Sequence, residues 1–287
     1  MSAEAPISVR LLTVGDWPVA AELFGPNGAC PRASARPEEE PTRAATPRKC
    51  NMKTILLAVA ACSLASGCAA ERWNGEVESW GSLRSVLREG DKSGKVLLSE
   101  VDSPFAVGIG ALAGLEGEIL IYDGSVWTSR ADAQGRVDTR LAAQGDQAAF
   151  LALARVRSWR TFTTDRELTL ADLDAYLGEL RAGAGLGDRE TLPFIVHGRV
   201  DGLATHVLAG RCPFAPDDTD GSEPVRRTLD HAEAVLVGLY TDLPPGVLTH
   251  HGAKTHVHAL LRGEIDYVGH VDEARIPAGT TLLLPSS

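Results

Sequence analysis

Five of the eight histidines in this 287-residue chain fall between Thr249 and Glu273: His250, His251, His256, His258 and His270. Only Val257 separates His256 from His258. In a strand, side chains at i and i+2 share a face, so both imidazoles point one way while Val257 turns to an apolar layer. Two imidazoles on one strand face are half of a metal site. A third ligand makes it a zinc-type site with one open position. His270 is the candidate third ligand. Thr255–Leu261 and Glu264–Val271 read as a hairpin around Arg262-Gly263. Its loop must be of odd length for His270 to share the face of His256 and His258, because one step of register reverses every side chain. Gly263 suits the left-handed last position of a three-residue loop Leu261-Arg262-Gly263. The alternative is a histidine-rich surface hairpin without metal. His250 and His251 are expected outside the ligand set, as supporting or surface groups.

Strands must position such a cluster, and the sequence supplies them. Leu115–Asp123 reads LEGEILIYD: a turn at Gly117, Glu118, then an apolar strand, with Asp123-Gly124 as a hairpin signal. Glutamate is seldom buried without a partner, so composition alone puts Glu118 at a hairpin edge facing water. Leu192–Leu208 reads as two strands around Asp201-Gly202. Val235–Tyr240 is a strand feeding the histidine stretch through the turn Pro244-Pro245-Gly246. Helical spacing is found in two places. Trp80–Arg88 carries Trp80, Leu83, Val86 and Leu87 on one side. Leu170, Leu173, Leu177 and Leu180 mark the core face of a helix that begins at a capping box, Thr169-x-x-Asp172, and ends near Gly183. Strands with few helices give an α+β class.

Composition is that of a globular protein, 44% hydrophobic and 23% charged, and the net charge of −10 argues against nucleic acid as a partner. Residues 1–51 are set apart. Ala33–Lys49 is rich in Pro, Arg, Glu, Thr and Ala with almost no large apolar residue, a disorder composition. Met52 opens a different segment: Lys53 as a positive start, Ile55–Leu64 as an apolar run, then Ala65-Ser66-Gly67-Cys68. Residues 52–67 read as a lipoprotein-type secretory signal. Cys68 would become the lipidated N-terminus of an exported envelope protein. A plain signal peptide cut near Ala69-Ala70 is the alternative. Since an export signal should begin a chain, Met52 is the expected start and residues 1–51 a disordered or mis-called extension. With Cys68 lipidated, Cys212 would be the single remaining cysteine of the mature protein, and no disulfide could form within it.

A His-x-His on a strand, followed about a dozen residues later by Gly269-His270-Val271, resembles the metal motif of α-acetolactate decarboxylases. The resemblance runs from about Trp80 to Pro285. It implies a strand-rich, two-lobed fold: an N-terminal lobe (71–195) with a mixed sheet carrying the Leu170–Leu180 helix, and a C-terminal metal-carrying lobe (196–287) with an antiparallel, barrel-like sheet. It implies Zn2+ held by His256, His258 and His270. Glu118 matches a family glutamate that reaches the metal and would protonate the carbanion left by loss of CO2. The chain departs from the family in three places. The family's arginine falls at Gly210, with Arg211 one residue later, so a one-residue bulge is needed to aim Arg211 at a substrate carboxylate. Ala111 stands where the family carries threonine. A further family glutamate has no counterpart before Ser287. Turnover, if present, would therefore be impaired or altered in substrate. The expected partner is a small 2-hydroxy-3-oxo acid, with the lipid at Cys68 as the membrane contact and a homodimer as the candidate assembly. Two other readings stand beside this one. One is a cupin-like metalloenzyme, for which Glu264 lies one residue off the usual spacing. The other is a zinc- or small-acid-binding lipoprotein without turnover.

Overall fold

The computed structural model describes residues 10–13, 72–211, 213, 221–263 and 266–287. The signal segment 52–67 and Cys68 lie outside them, as does most of 1–51. Within that first stretch Arg10–Thr13 is a strand, β1, paired antiparallel with Ser158–Thr163. No helix among the described residues is long and apolar enough to cross a membrane.

Two antiparallel sheets account for most of the described chain. The smaller takes β2 (Glu78–Trp80), β3 (Val96–Leu97), β4 (Ala106–Leu112), β5 (Gly117–Tyr122), β6 (Ser125–Ala131), β7 (Val137–Leu141) and β8 (Gln147–Arg155). Its order is β2-β8-β4-β5-β6-β7, with β3 also on β8. The apolar runs AVGIGAL of β4 and EILIY in β5 fit here because both strands are interior and almost wholly buried. Asp123 and Gly124 both have positive φ, 50° and 70°, as a two-residue hairpin turn of the primed kind requires. The ladders within this sheet are all antiparallel, where a mixed sheet was expected. Its strands follow one another largely through short turns, and short turns join only antiparallel neighbours.

The larger sheet takes β1, β9 (Ser158–Thr163), β10 (Leu168–Thr169), β11 (Thr191–Ala209), β12 (Ser222–Thr241), β13 (Thr255–Leu261), β14 (Tyr267–Ile276) and β15 (Thr281–Pro285). Its order is β1-β9-β15-β11-β12-β13-β14-β10, and β14 pairs again with β11. That second pairing closes β11 to β14 into a barrel-like ring. Asp201-Gly202 is not a turn between two strands, as the sequence suggested. Gly202 has φ 55°, and β11 runs through it in unbroken register with β12. On its other edge β11 passes from β15, at residues 195–197, to β14, at residues 201–206. A strand that changes partner this way must coil, and a glycine with left-handed φ permits the bend.

Helix α1 (Leu83–Glu89) starts at a Ser82/Ser85 capping box and ends on left-handed Gly90. Helix α2 (Leu170–Gly183) has the predicted capping box: the Thr169 hydroxyl accepts from the Asp172 amide, and Asp172 accepts from the Thr169 amide. Its buried face, Leu173, Tyr176, Leu177 and Leu180, lies against β10, β13 and β14 of the larger sheet. The expectation had placed this helix on the N-terminal sheet. The chain changes sheets after β8, because β9 pairs with the C-terminal β15, a pairing no local pattern announces.

Candidate metal centre

The smaller sheet packs along β11 to β14 of the larger one, with β13 facing β5. His256 and His258 project from β13 on one face, 5% and 1% exposed. Each imidazole is fixed through Nδ1. His256 Nδ1 donates to the Leu248 carbonyl at 2.8 Å, and His258 Nδ1 donates to the Ile119 carbonyl of β5 at 2.9 Å. These bonds set the tautomer and leave each Nε2 with its lone pair outward. The two Nε2 atoms are 3.3 Å apart. Burial, reinforced by the neighbouring imidazoles, pushes both groups well below the usual histidine range, so both rings are neutral. Two lone pairs facing at that distance repel unless a cation lies between them. A tetrahedral ion with bonds of about 2.0–2.1 Å has edges of about 3.3–3.4 Å. The His256–His258 pair therefore fits one edge of a zinc-type site, while the three imidazoles whose ring nitrogens all lie within 4.8 Å of one another are His250, His256 and His270, without His258.

His270 stands on β14 directly opposite His258. The hairpin loop is residues 262–266, five rather than three, so its parity is odd and His270 shares the face. Ring centroids of His270 lie 5.1 Å from His256 and 5.5 Å from His258. Asp272, two residues on, shares that face. Its Oδ1 is 3.5 Å from His270 Nδ1 and accepts from His206 Nδ1 at 2.8 Å, while Oδ2 accepts from Arg226 at 2.8 Å. Burial opposes the charge on Asp272, but these hydrogen bonds outweigh it and hold the carboxyl well below its ordinary value. His206 lies on β11 opposite His270 at the barrel closure. His250, expected as a supporting or surface group, lies against the other imidazoles: one ring nitrogen each from His250, His256 and His270 lie within 4.8 Å of one another. Burial and the neighbouring imidazoles push His250 down to about 3. His251 is exposed and meets Arg88, with Nε2 3.1 Å from its Nη2.

Glu118 comes from the other sheet. It sits on β5 opposite Ala111 of β4, 2% exposed, with Oε2 3.7 Å from His258 Nε2 and Oε1 accepting the Leu208 amide at 3.1 Å. Burial drives its carboxyl up to about 7, against the opposing influence of His206 and the Leu208 amide. The water-facing edge position suggested by composition is thus not where it lies. Leu83, Val86, Ala111, Leu115, Phe150 and Leu208 wall the cavity in front of it. The Phe150 ring stacks on His256 at 5.8 Å and 7°. Gly110 lets β4 run close against β8 beside this residue, since a Cβ there would meet the Phe150 backbone carbonyl at 2.3 Å.

Arg211 is not brought to the cluster. The β11–β12 register does slip by one residue between Val207 and Ala209, but β11 ends at Ala209 and Gly210 turns with φ 94°. Arg211 then pairs with Glu223 at 2.5 Å. The β11 positions that face the cavity are His206 and Leu208, and no Lys or Arg among the described residues lines it. Glu264 lies outside the described residues. Two members of the cluster, His206 and Asp272, were not singled out in the sequence. Asp272 had a usable signal, the same i, i+2 parity that picked out His258. His206 had none, because the β11–β14 pairing decides its position.

The family described as alpha-acetolactate decarboxylase matches residues 81–283. Among solved structures, alpha-acetolactate decarboxylase from Bacillus subtilis strain 168 superposes with a TM-score of 0.59 at 18% identity, covering 74% of this chain and 86% of that one. A Staphylococcus aureus protein of unknown function, similar to alpha-acetolactate decarboxylase, superposes with a TM-score of 0.55 at 16% identity, covering 72% and 84%. At these identities the superpositions establish the fold. No curated protein matches the chain.

Proposed function

The chain belongs to the alpha-acetolactate decarboxylase family, and on that premise we propose that it converts 2-acetolactate (2-hydroxy-2-methyl-3-oxobutanoate) to acetoin and CO2 at a zinc site of His256, His258 and His270. The observation that carries the proposal is the convergence of Glu118, from one sheet, on the buried imidazoles of the other. Zinc, when bound, supplies a Lewis acid for the substrate's carbonyl and hydroxyl pair and stabilises the charge that develops there. The chain's own residues do the rest. His256 and His258 hold their tautomers through Leu248 and Ile119. Phe150, Leu115 and Leu208 exclude water from the reacting carbons. The bond to the carboxyl carbon breaks and its electron pair stays on the former carboxyl-bearing carbon. Glu118, whose carboxyl burial raises toward the pH of the reaction, gives its proton to that carbon from one side and is then reprotonated from water.

A second reading is favoured by the cavity wall. With Arg211 held by Glu223 and no cation among the described lining residues, a substrate carboxylate has fewer partners, which suits an altered substrate or a protein that binds zinc or a small acid without turnover. Incubating the purified zinc-loaded chain with racemic 2-acetolactate and following acetoin separates the two. Acetoin formed well above the spontaneous rate supports the enzyme, and none supports the binder. Export and anchoring through Cys68 belong to the same proposal and rest on the signal-like sequence before that residue.

A further inference from the structure

We infer that His250 is a fourth imidazole ligand of the metal, so that the centre in this chain is built from His250, His256, His258 and His270. The inference rests on the metal reading above and extends its ligand set. His250 offers a ring nitrogen within 4.8 Å of those of His256 and His270, and its ring centroid lies 5.7 Å from one and 5.8 Å from the other. A surface histidine that happened to fold inward would sit on an unconstrained loop, and this loop is built. The Gly246 amide donates to the Thr249 carbonyl at 2.8 Å and closes a tight turn. The first turn of α1 pins the turn from outside, with the Arg84 amide on the Gly246 carbonyl at 2.6 Å and the Leu83 amide on the Val247 carbonyl at 3.2 Å. Leu248 and Thr249 are buried, 2% and 1% exposed. The Leu248 carbonyl is also the group that fixes His256. One short segment therefore orients a ligand and, two residues later, delivers a further imidazole to it.

The adjacent His251 makes the contrast. It is exposed and turned to Arg88, so the His250-His251 pair is split by the fold into an inward and an outward member. His256, His258 and His270 stand on paired strands and cannot withdraw without breaking the ring of β11 to β14. Of these four, His250 alone is on a loop, which makes it the ligand able to yield its position to an incoming hydroxy-carbonyl pair.

The test uses the full chain stripped of metal, titrated with Zn2+ against a chromophoric chelator and with Co2+ read by its visible absorption. Wild type, His250→Ala, His251→Ala and His256→Ala are compared. We expect His250→Ala to weaken Zn2+ binding by at least about tenfold, the scale on which even supporting residues act. The Co2+ spectrum should shift with it, and added imidazole should restore the wild-type spectrum. His251→Ala should match wild type. If His256→Ala loses the metal while His250→Ala keeps both affinity and spectrum, the inference fails and the three-histidine reading stands. If wild type itself binds no metal, both fall. Imidazole rescue distinguishes a lost ligand from a damaged loop: a weakened variant that imidazole does not restore also counts against His250 as a ligand.

Discussion

Replacing Glu118 by Gln in the metal-free protein should change the pH dependence of folding stability by an amount readable from the site. The carboxyl is 2% exposed and its pKa is raised by burial from 4.5 to about 7. A group whose folded pKa exceeds its unfolded value stabilises the fold fully below the unfolded value and loses that contribution as pH rises through the folded one. At about 1.4 kcal/mol for each pH unit of displacement, ionising Glu118 costs the native state about 3 kcal/mol between pH 4.5 and pH 8. Glutamine does not titrate, and its carbonyl oxygen can still accept the Leu208 amide. Urea unfolding of both proteins at the two pH values gives the answer, because titrations common to both cancel in the difference. The variant should gain about 3 kcal/mol on wild type from the lower pH to the higher. A difference constant to within about 0.5 kcal/mol would mean that Glu118 ionises as it does in water, and the buried-acid account would be wrong.

With metal present, Glu118→Gln should keep zinc and lose about 10²-fold or more in turnover, which steady-state kinetics beside metal analysis will read. Asp272→Asn should lower zinc affinity by about 10–100-fold in chelator competition, since Asp272 orients the rings of His206 and His270. Arg211→Ala should leave kcat/KM within about threefold, because its partner is the exposed Glu223 and such pairs contribute little. A loss of about 10²-fold there would place Arg211 on the substrate after all.

The part of the site that lies on one strand was legible in the sequence. His256-x-His258 depends on local parity, and His270 on the parity of a loop whose length was misjudged without consequence, five residues being as odd as three. The capping box of α2 and the Asp123-Gly124 turn are local and came through intact. The parts missed depend on pairings far apart in sequence. β12 is twenty residues long, but its first half is mostly exposed and polar, with no apolar alternation to reveal it. Its pairing with β11 carried the chain straight through Asp201-Gly202, where dipeptide chemistry alone reads a turn. His206 reaches the cluster only because β14 closes on β11, and Glu118 only because the second sheet docks on β13. Burial reversed the composition-based expectation for Glu118, and only the family resemblance had anticipated it.

Chiral analysis of the acetoin formed from racemic 2-acetolactate tests the central claim most directly, because it reports both bond cleavage and the one-sided proton from Glu118. The account expects metal-dependent acetoin strongly enriched in one enantiomer, with formation abolished by a chelator and restored by Zn2+. Acetoin at only the spontaneous rate from zinc-loaded protein, or acetoin that is racemic as formed, would contradict it.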